Sequence, residues 1–142
     1  MPPFSTNNME PIRNKFVRFI LLSNGIVDLF AALALFSPIF NIPLPGYDFY
    51  TSELVFIGGG WGIAALTFGI GRIWASYKPE LYWIMTVLGL IEGIILSVFC
   101  MINILFLGVS FIQAILPLAI GSIYGILYVV AVIIFMRIKR IR

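Results

Sequence analysis

The sequence predicts an all-α, polytopic integral membrane protein built as a bundle of four transmembrane helices. Of its 142 residues, 61% are hydrophobic and only 11% are charged, whereas a soluble domain has about 45–50% apolar and about 25% charged residues. A soluble core of this size could not bury so much apolar surface, so the chain is expected to lie in lipid. The apolar residues also form long runs, separated by short segments that contain proline, glycine or charged residues.

Each apolar run is long enough to cross a bilayer. An α-helix rises about 1.5 Å per residue, so about 20 residues span the hydrocarbon core. The predicted spans cover residues 16–36, 54–75, 81–106 and 113–136. They form a transmembrane domain of residues 16–136, between a polar tail of residues 1–15 and a basic tail of residues 137–142.

The basic residues predict the topology. With four spans, all nine fall on one side of the membrane, and the first and third loops contain none. The positive-inside rule then predicts that both termini are cytoplasmic. Because these charges act as topology anchors, the net charge of +3 does not indicate a nucleic-acid partner. Arg72, at the end of the second span, is interpreted as snorkelling to the membrane edge. The anchors are Arg13, Lys15, Arg18, Arg72, Lys78, Arg137, Lys139, Arg140 and Arg142.

Two residue types that commonly bind metals or act as catalytic groups are absent or nearly absent. The chain has no histidine and a single cysteine, Cys100, which lies in an apolar run. Histidine-ligated metals, thiol clusters and the common nucleophile–base pairs are therefore excluded, and no metal or cofactor is predicted. An enzyme is the least favoured class on these grounds.

Two carboxylates lie deep inside apolar runs. Asp28 is roughly 18 Å and Glu92 roughly 16 Å from the predicted cytoplasmic edge, counted along their helices. An acid at such depth costs about 2.5–3.5 kcal/mol on insertion scales, so both are expected to face protein or water. Polar and aromatic residues at similar depth or on the same faces complete a candidate intramembrane polar site: Asn24, Asp28, Trp61, Glu92, Asn103 and Tyr124.

Three interpretations of these acids stay open. They could bind a proton or a cation that a transport cycle loads and releases. They could instead be neutral, or hydrogen-bonded to neighbouring side chains. A salt bridge to a partner subunit is the third interpretation, since no basic residue of this chain is expected at that depth.

Small residues at helical spacing predict close helix packing. The second span has the densest set, so it is expected to be the most central helix. The predicted packing positions are Gly58, Gly62, Ala65, Gly69, Gly89, Gly93, Gly121 and Gly125. A weak internal repeat pairs residues 25–28 with 89–92 and residues 61–63 with 124–126. It predicts two parallel helical hairpins.

These observations favour a small non-catalytic membrane subunit, which packs through its glycine faces against other membrane subunits or against itself. The alternative is a small proton- or cation-coupled transporter or channel that uses Asp28 and Glu92. A third hypothesis is a lipid-acting membrane enzyme that uses the same acids. In all three, the lipid bilayer is the first partner of the chain.

Overall fold

Four long helices make up almost all of the structure, a computed structural model that describes residues 9–40, 42 and 51–141. Each helix is long and apolar enough to cross a membrane, which confirms the predicted four-helix membrane bundle. The helices are α1 (Met9–Phe36), α2 (Ser52–Ala75), α3 (Tyr82–Phe106) and α4 (Phe111–Ile141). Short 3₁₀ turns at Ser37–Phe40 and Pro79–Leu81 follow α1 and precede α3.

The helices extend beyond the predicted spans. Helix α1 begins at Met9 and α4 ends at Ile141, so parts of both predicted tails are helical. Hydropathy marks only the segment that lies in lipid, whereas polar residues with adequate helix propensity continue a helix into water. Pro45-Gly46, a dipeptide typical of turns, lies outside the described residues.

The start of α2 and the end of α3 each carry a recognisable capping signal. The Thr51 side chain accepts a hydrogen bond from the backbone N–H of Leu54 at 3.2 Å and caps α2. At the end of α3, the N–H of Val109 donates to the carbonyl of Asn103 across Gly108, whose φ is +68°. This left-handed glycine closes α3 and lets the chain turn into α4.

Helix α1 lies at the centre of the bundle. It packs along α2, its partner in the first hairpin, and also contacts α4 and α3, whereas α3 packs mainly on α4. Of the most apolar window of each span, 33% is buried in α1 and only 11% in α2. The expectation that the second span is the most central helix is therefore wrong. Its glycine stripe packs against one neighbour, α1, and most of its other residues are exposed.

The two hairpins are each joined by a close glycine contact. In the first, a Cβ added at Gly25 would lie 2.8 Å from the carbonyl oxygen of Gly69. In the second, a Cβ at Gly93 would lie 2.8 Å from the Cα of Gly125 and 2.9 Å from the oxygen of Gly121. Such contacts bring helix backbones together where larger side chains would hold them apart.

The predicted repeat is not reproduced in the register of the hairpins. The repeat equates Gly25 with Gly89, and an offset of 63 equates Gly69 with Val132. In the structure Gly25 meets Gly69, but Gly89 meets Tyr128, one helical turn away from Val132. The similarity of the short segments therefore does not extend to equivalent packing.

The hydrophobic core lies toward one end of the bundle. We call this end the terminal side, because it holds the start of α1, the α2–α3 connection and the end of α4, and we call the other end the opposite side. The core residues are Val17, Ile20, Leu21, Ala75, Tyr82, Tyr128 and Ala131.

Replacing Gly93 with alanine should destabilise the bundle by about 1–3 kcal/mol, the range for overpacking. The added methyl group would meet backbone atoms of Gly121 and Gly125, which cannot rotate away. Gly60→Ala is the matched control, because nothing lies within 4 Å of a Cβ there, and alanine is the better helix former. The measurement is the free energy of unfolding in detergent micelles. Equal stabilities of the two variants would contradict the close contact.

Candidate intramembrane charge site

Arg72 lies at the centre of a buried ion cluster. It belongs to the last turn of α2, and the residue is only 1% exposed. One terminal nitrogen, Nη1, donates to Oδ2 of Asp28 on α1, and the other, Nη2, donates to Oε2 of Glu92 on α3. We call Asp28, Arg72 and Glu92 the acid–arginine cluster. It connects three of the four helices.

Helix direction explains why these side chains meet. The Cα–Cβ bond of a helical residue tilts toward the N-terminus of its helix. Helix α2 runs toward the terminal side, so Arg72 tilts away from that membrane edge and into the bundle. Helices α1 and α3 run the other way, so Asp28 and Glu92 tilt toward the terminal side and meet the guanidinium group.

The interpretation of Arg72 as a snorkelling residue is therefore wrong. Snorkelling would need the side chain to extend toward the C-terminal end of α2, against its natural tilt. Instead its guanidinium carbon lies 5.5 Å from the ring centre of Phe68, one turn toward the N-terminus of α2. The expectation that no basic group of this chain reaches the depth of the acids fails for the same reason.

Asp28 is the more enclosed of the two acids. Its side chain is 12% exposed. Besides Arg72, it has Asn24 as a partner, whose side-chain nitrogen Nδ2 donates to Oδ1 of Asp28 at 3.0 Å. Asn24 lies one helical turn before Asp28, so α1 itself supplies this hydrogen bond. Both carboxylate oxygens of Asp28 thus have a donor.

Glu92 is held more loosely. Its side chain is 42% exposed. It reaches from α3 toward Arg72 on α2, and these two helices make few contacts with each other. The two acids therefore share one guanidinium group but differ in their access to the surroundings.

The cluster contains more acidic than basic groups. With both carboxylates ionised, two negative charges face one positive charge. An uncompensated charge inside a bilayer is costly, and a shared partner makes the two acids interdependent in their titration. The arrangement is therefore suited to hold one proton, or a small cation, in addition to Arg72.

Three buried polar atoms on α2, α3 and α4 have no hydrogen bond of normal geometry among the described residues. They are Nε of Arg72, the hydroxyl oxygen of Thr86 and the hydroxyl oxygen of Tyr128. The ring of Tyr128 rests directly on Gly89, one turn before Glu92. Its hydroxyl group lies near enough to Arg72 and Asp28 to interact electrostatically with both. Unpaired buried polar groups are rare enough in native proteins to require an explanation.

Other residues of the predicted polar site lie apart from the cluster or at its edge. Trp61 is 59% exposed, on the outer surface of α2. Asn103 donates to the carbonyl oxygen of Phe99 at 2.8 Å, near the opposite end of α3. Tyr124 is half-buried, one turn from Tyr128 on α4. The structure thus joins Asn24, Asp28 and Glu92, but it does not bring Trp61 or Asn103 to them.

The predicted packing positions lie between helices of the same chain. A Cβ at Gly62 would lie 2.9 Å from the Phe36 ring, and one at Gly69 would lie 3.1 Å from the Cβ of Asp28. Gly58 faces the carbonyl of Leu35, and half-buried Ala65 continues the stripe. The glycines at 89, 93, 121 and 125 lie in the contact between α3 and α4.

The other basic residues that the structure describes belong to the terminal side. The guanidinium carbon of Arg13 lies 5.0 Å from the Phe135 ring centre, and that of Arg18 lies 4.8 Å from the Tyr77 ring centre. Lys15, Lys78 and Arg137 are exposed. The side chains of Lys139 and Arg140, and the whole of Arg142, lie outside the described part of the chain.

Sequence reasoning missed Arg72 as a member of the site. The direction of α2, which the predicted topology already specifies, could have indicated the inward position of Arg72. The side chain of an arginine near the C-terminal end of a span tilts back toward the middle of the membrane, where the two predicted acids lie.

The four apolar helices and the buried cluster define a multi-pass integral membrane protein. Comparisons with protein-family models, with curated proteins and with solved structures find no significant match. The function has to be argued from the site itself.

Replacing Arg72 with leucine should destabilise the protein by about 3–5 kcal/mol, the usual cost of removing one member of a buried ion pair. The reason is that Asp28 would be left buried beside an apolar side chain. Adding Asp28→Asn should recover part of this loss, because the unpaired charge is removed. The measurement is the free energy of unfolding in mixed micelles.

Arg18→Leu is the control for the loss of a basic residue on the same side. Its guanidinium group lies over Tyr77 at the exposed surface, so the cost should stay near 1 kcal/mol or less. An Arg72→Leu variant as stable as Arg18→Leu would show that the cluster contributes nothing to the fold.

Proposed function

We propose that the protein is a small proton- or cation-coupled membrane transporter or channel, with the acid–arginine cluster as its ion-responsive site. The observation that carries this proposal is the sharing of one buried guanidinium group by two carboxylates. A charge cluster with a purely structural role in lipid would be most stable with equal numbers of positive and negative charges. A surplus carboxylate gives the cluster a reason to bind a proton or a cation.

The unequal exposure of the two acids assigns them different roles in this proposal. Glu92, with a side chain 42% exposed, exchanges the proton or cation. Asp28 stays with Arg72 and Asn24 as the fixed counter-ion. Protonation of Glu92 removes its charge and weakens its bond to Arg72.

That bond is also a link between the two hairpins. Arg72 belongs to the α1–α2 hairpin and Glu92 to the α3–α4 hairpin, and α2 and α3 contact each other little elsewhere. Loss of the link would weaken the contact between the hairpins and leave it to the packing of α1 against α3 and α4, which favours movement of one hairpin against the other. Movement of one half of a bundle against the other around a fixed site is a common basis of alternating access.

The orientation of the bundle is part of the proposal. The basic residues of the terminal side support a cytoplasmic location for that side. A cysteine introduced at Lys78 in a Cys100→Ser background should react with an impermeant thiol reagent only after the membrane is opened. Labelling of the cysteine in intact cells would show that the terminal side faces outward instead.

A smaller observation favours a second function, that of an accessory subunit or self-associating protein. The glycines first expected to bind partners are used inside the chain, but α2 has another small-residue face with the same spacing. Its outward members are Gly60, Ala64, Thr67 and Gly71, and nothing lies within 4 Å of a Cβ at either glycine. The Thr67 hydroxyl group already donates to the Ile63 carbonyl at 2.9 Å, which leaves this face smooth and apolar.

The second function predicts that the protein leaves the membrane as a complex in mild detergent. Gly60→Leu combined with Gly71→Leu should release the partner or the second copy, because the leucines would hold the helices apart. Ile70→Leu, on the same helix, is the control and should leave the complex intact. A dispersed, stable wild-type monomer would count against this function. The lipid-acting enzyme has no supporting observation among the described residues.

The transport proposal predicts that Glu92→Gln and Asp28→Asn each reduce ion flux to the level of empty liposomes. Glutamine keeps the shape of the side chain but cannot exchange a proton, and asparagine removes the fixed counter-ion. Flux is measured with a pH-sensitive dye enclosed in the liposomes, under an imposed membrane potential. Dyes for Na⁺ and K⁺ test the cation alternative with the same variants.

Glu80→Gln is the matched control, since Glu80 is an exposed acid outside the cluster. It should retain wild-type flux. Wild-type flux in both Asp28→Asn and Glu92→Gln would remove the transport proposal.

A further inference from the structure

The buried polar residues of the bundle are distributed unevenly along the membrane normal. Among the described residues, those that are fully or almost fully buried lie between the acid–arginine cluster and the terminal side. They are Asn24, Asp28, Arg72, Ser76, Tyr82, Thr86 and Tyr128. The terminal half of the bundle thus contains several buried polar side chains within its apolar core.

Thr86 and Tyr128 occupy the middle of this set. Thr86 lies six residues before Glu92 on α3, which is about 9 Å along the helix axis. Tyr128 packs on Gly89, halfway between them. Both side chains are fully buried. The Thr86 hydroxyl has no hydrogen-bond partner in the described chain, and the Tyr128 hydroxyl lies close to Arg72 without a hydrogen bond of normal geometry.

Nearer to the terminal side, the polar groups are already paired. The Tyr82 hydroxyl donates to the Ser76 carbonyl at 2.8 Å, and the Ser76 hydroxyl donates to the Ile73 carbonyl at 2.7 Å. These two residues lie between Thr86 and the end of the bundle. Their hydroxyl oxygens keep lone pairs that can accept a proton.

The opposite half of the bundle offers no comparable set among the described residues. There the helices meet through Gly93 with Gly121 and Gly125, and through Gly62 with the Phe36 ring. The half-buried hydroxyls of Ser97 and Ser122 bond to each other at 3.3 Å, and Ser97 also bonds to the Gly93 carbonyl. Close backbone contact leaves little space for a chain of hydrogen bonds.

We propose that Thr86 and Tyr128 form a proton path that connects Glu92 to the terminal side of the membrane and not to the opposite side. This inference rests on the proposed function and deepens it, because it names the side from which the cluster is loaded. At each hydroxyl group, one O–H bond forms with the incoming proton and one O–H bond breaks as a proton leaves. The hydroxyl groups are therefore unchanged, and the proton ends on the Glu92 carboxylate, directly or through bridging water.

The charged and titratable groups around Tyr128 fit this role. Asp28 faces it from α1, Arg72 from α2 and Tyr124 from its own helix, and α3 contributes Glu92 one turn beyond the glycine on which the ring rests. Arg72 discourages a free proton from resting beside it, so a proton that passes Tyr128 is driven on to the carboxylate. Tyr128 therefore passes a proton on to the carboxylate and does not store it.

The test measures how fast Glu92 is protonated from each side of the membrane. The full-length protein carries a C-terminal affinity tag and is reconstituted at one copy per vesicle. Vesicles that bind the affinity resin have the terminal side outward, and those that do not bind have it inward. After a rapid drop in external pH, the infrared carbonyl band of protonated Glu92, identified by its loss in Glu92→Gln, is followed in time.

Wild-type Glu92 should become protonated faster in vesicles with the terminal side outward. Tyr128→Phe should slow this reaction about tenfold or more, since a positioned group that transfers a proton contributes at least this factor. Phenylalanine keeps the ring that packs on Gly89, so the variant should still fold. Tyr124→Phe, one turn away on the same helix, should keep the wild-type rate.

Thr86 provides a second pair of variants. Thr86→Val removes the hydroxyl with little change of shape and should slow protonation, whereas Thr86→Ser keeps the hydroxyl and should restore it. Equal wild-type rates in the two vesicle populations would overturn the proposal. So would wild-type rates in both Tyr128→Phe and Thr86→Val.

Flux measurements on the same samples separate the two proposals. Faster protonation from the terminal side without any wild-type flux would support the path and reject the transport function. Wild-type flux with unchanged protonation rates in Tyr128→Phe and Thr86→Val would retain the function and reject the path.

Discussion

A guanidinium group inside a bilayer has to be satisfied by the protein, because no bulk water is there to solvate it. Arg72 meets this requirement with Asp28 on one side and Glu92 on the other. The requirement fixes the rotation of α1, α2 and α3 about their axes, since each helix has to present one particular residue to a common point. Much of the arrangement of the bundle follows from this one cluster.

The glycine contacts make the cluster possible. Gly25 and Gly69 bring α1 and α2 together one turn from Asp28, and a Cβ at Gly69 would already lie 3.1 Å from the Cβ of that acid. Gly93, next to Glu92, brings α3 against α4 in the same way. Small residues in lipid thus do more than allow packing. They place two acids close enough to share one arginine, at a depth where distance strongly affects the electrostatic energy.

The unequal settings of the two acids connect the structure with the proposed function. Asp28 has a second donor in Asn24 and is enclosed, whereas Glu92 has the more exposed side chain and belongs to the other hairpin. A change of charge on Glu92 therefore acts on the contact between hairpins, while a change on Asp28 would act within one hairpin. The proposed proton path through Thr86 and Tyr128 would load Glu92 from the terminal side of the membrane.

The sequence by itself determined the solvent, the number of spans and the presence of costly acids, because composition and run length are local properties of the chain. It also predicted which small residues permit close packing. Four apolar runs admit many rotations and pairings, however, and only the tertiary structure decided them. It showed that α1 is central, that Arg72 turns inward to join Asp28 and Glu92, and that Trp61 and Asn103 stay apart from them. Hydropathy shows that an ionisable group lies in lipid, but its partner depends on where neighbouring helices place opposite charge.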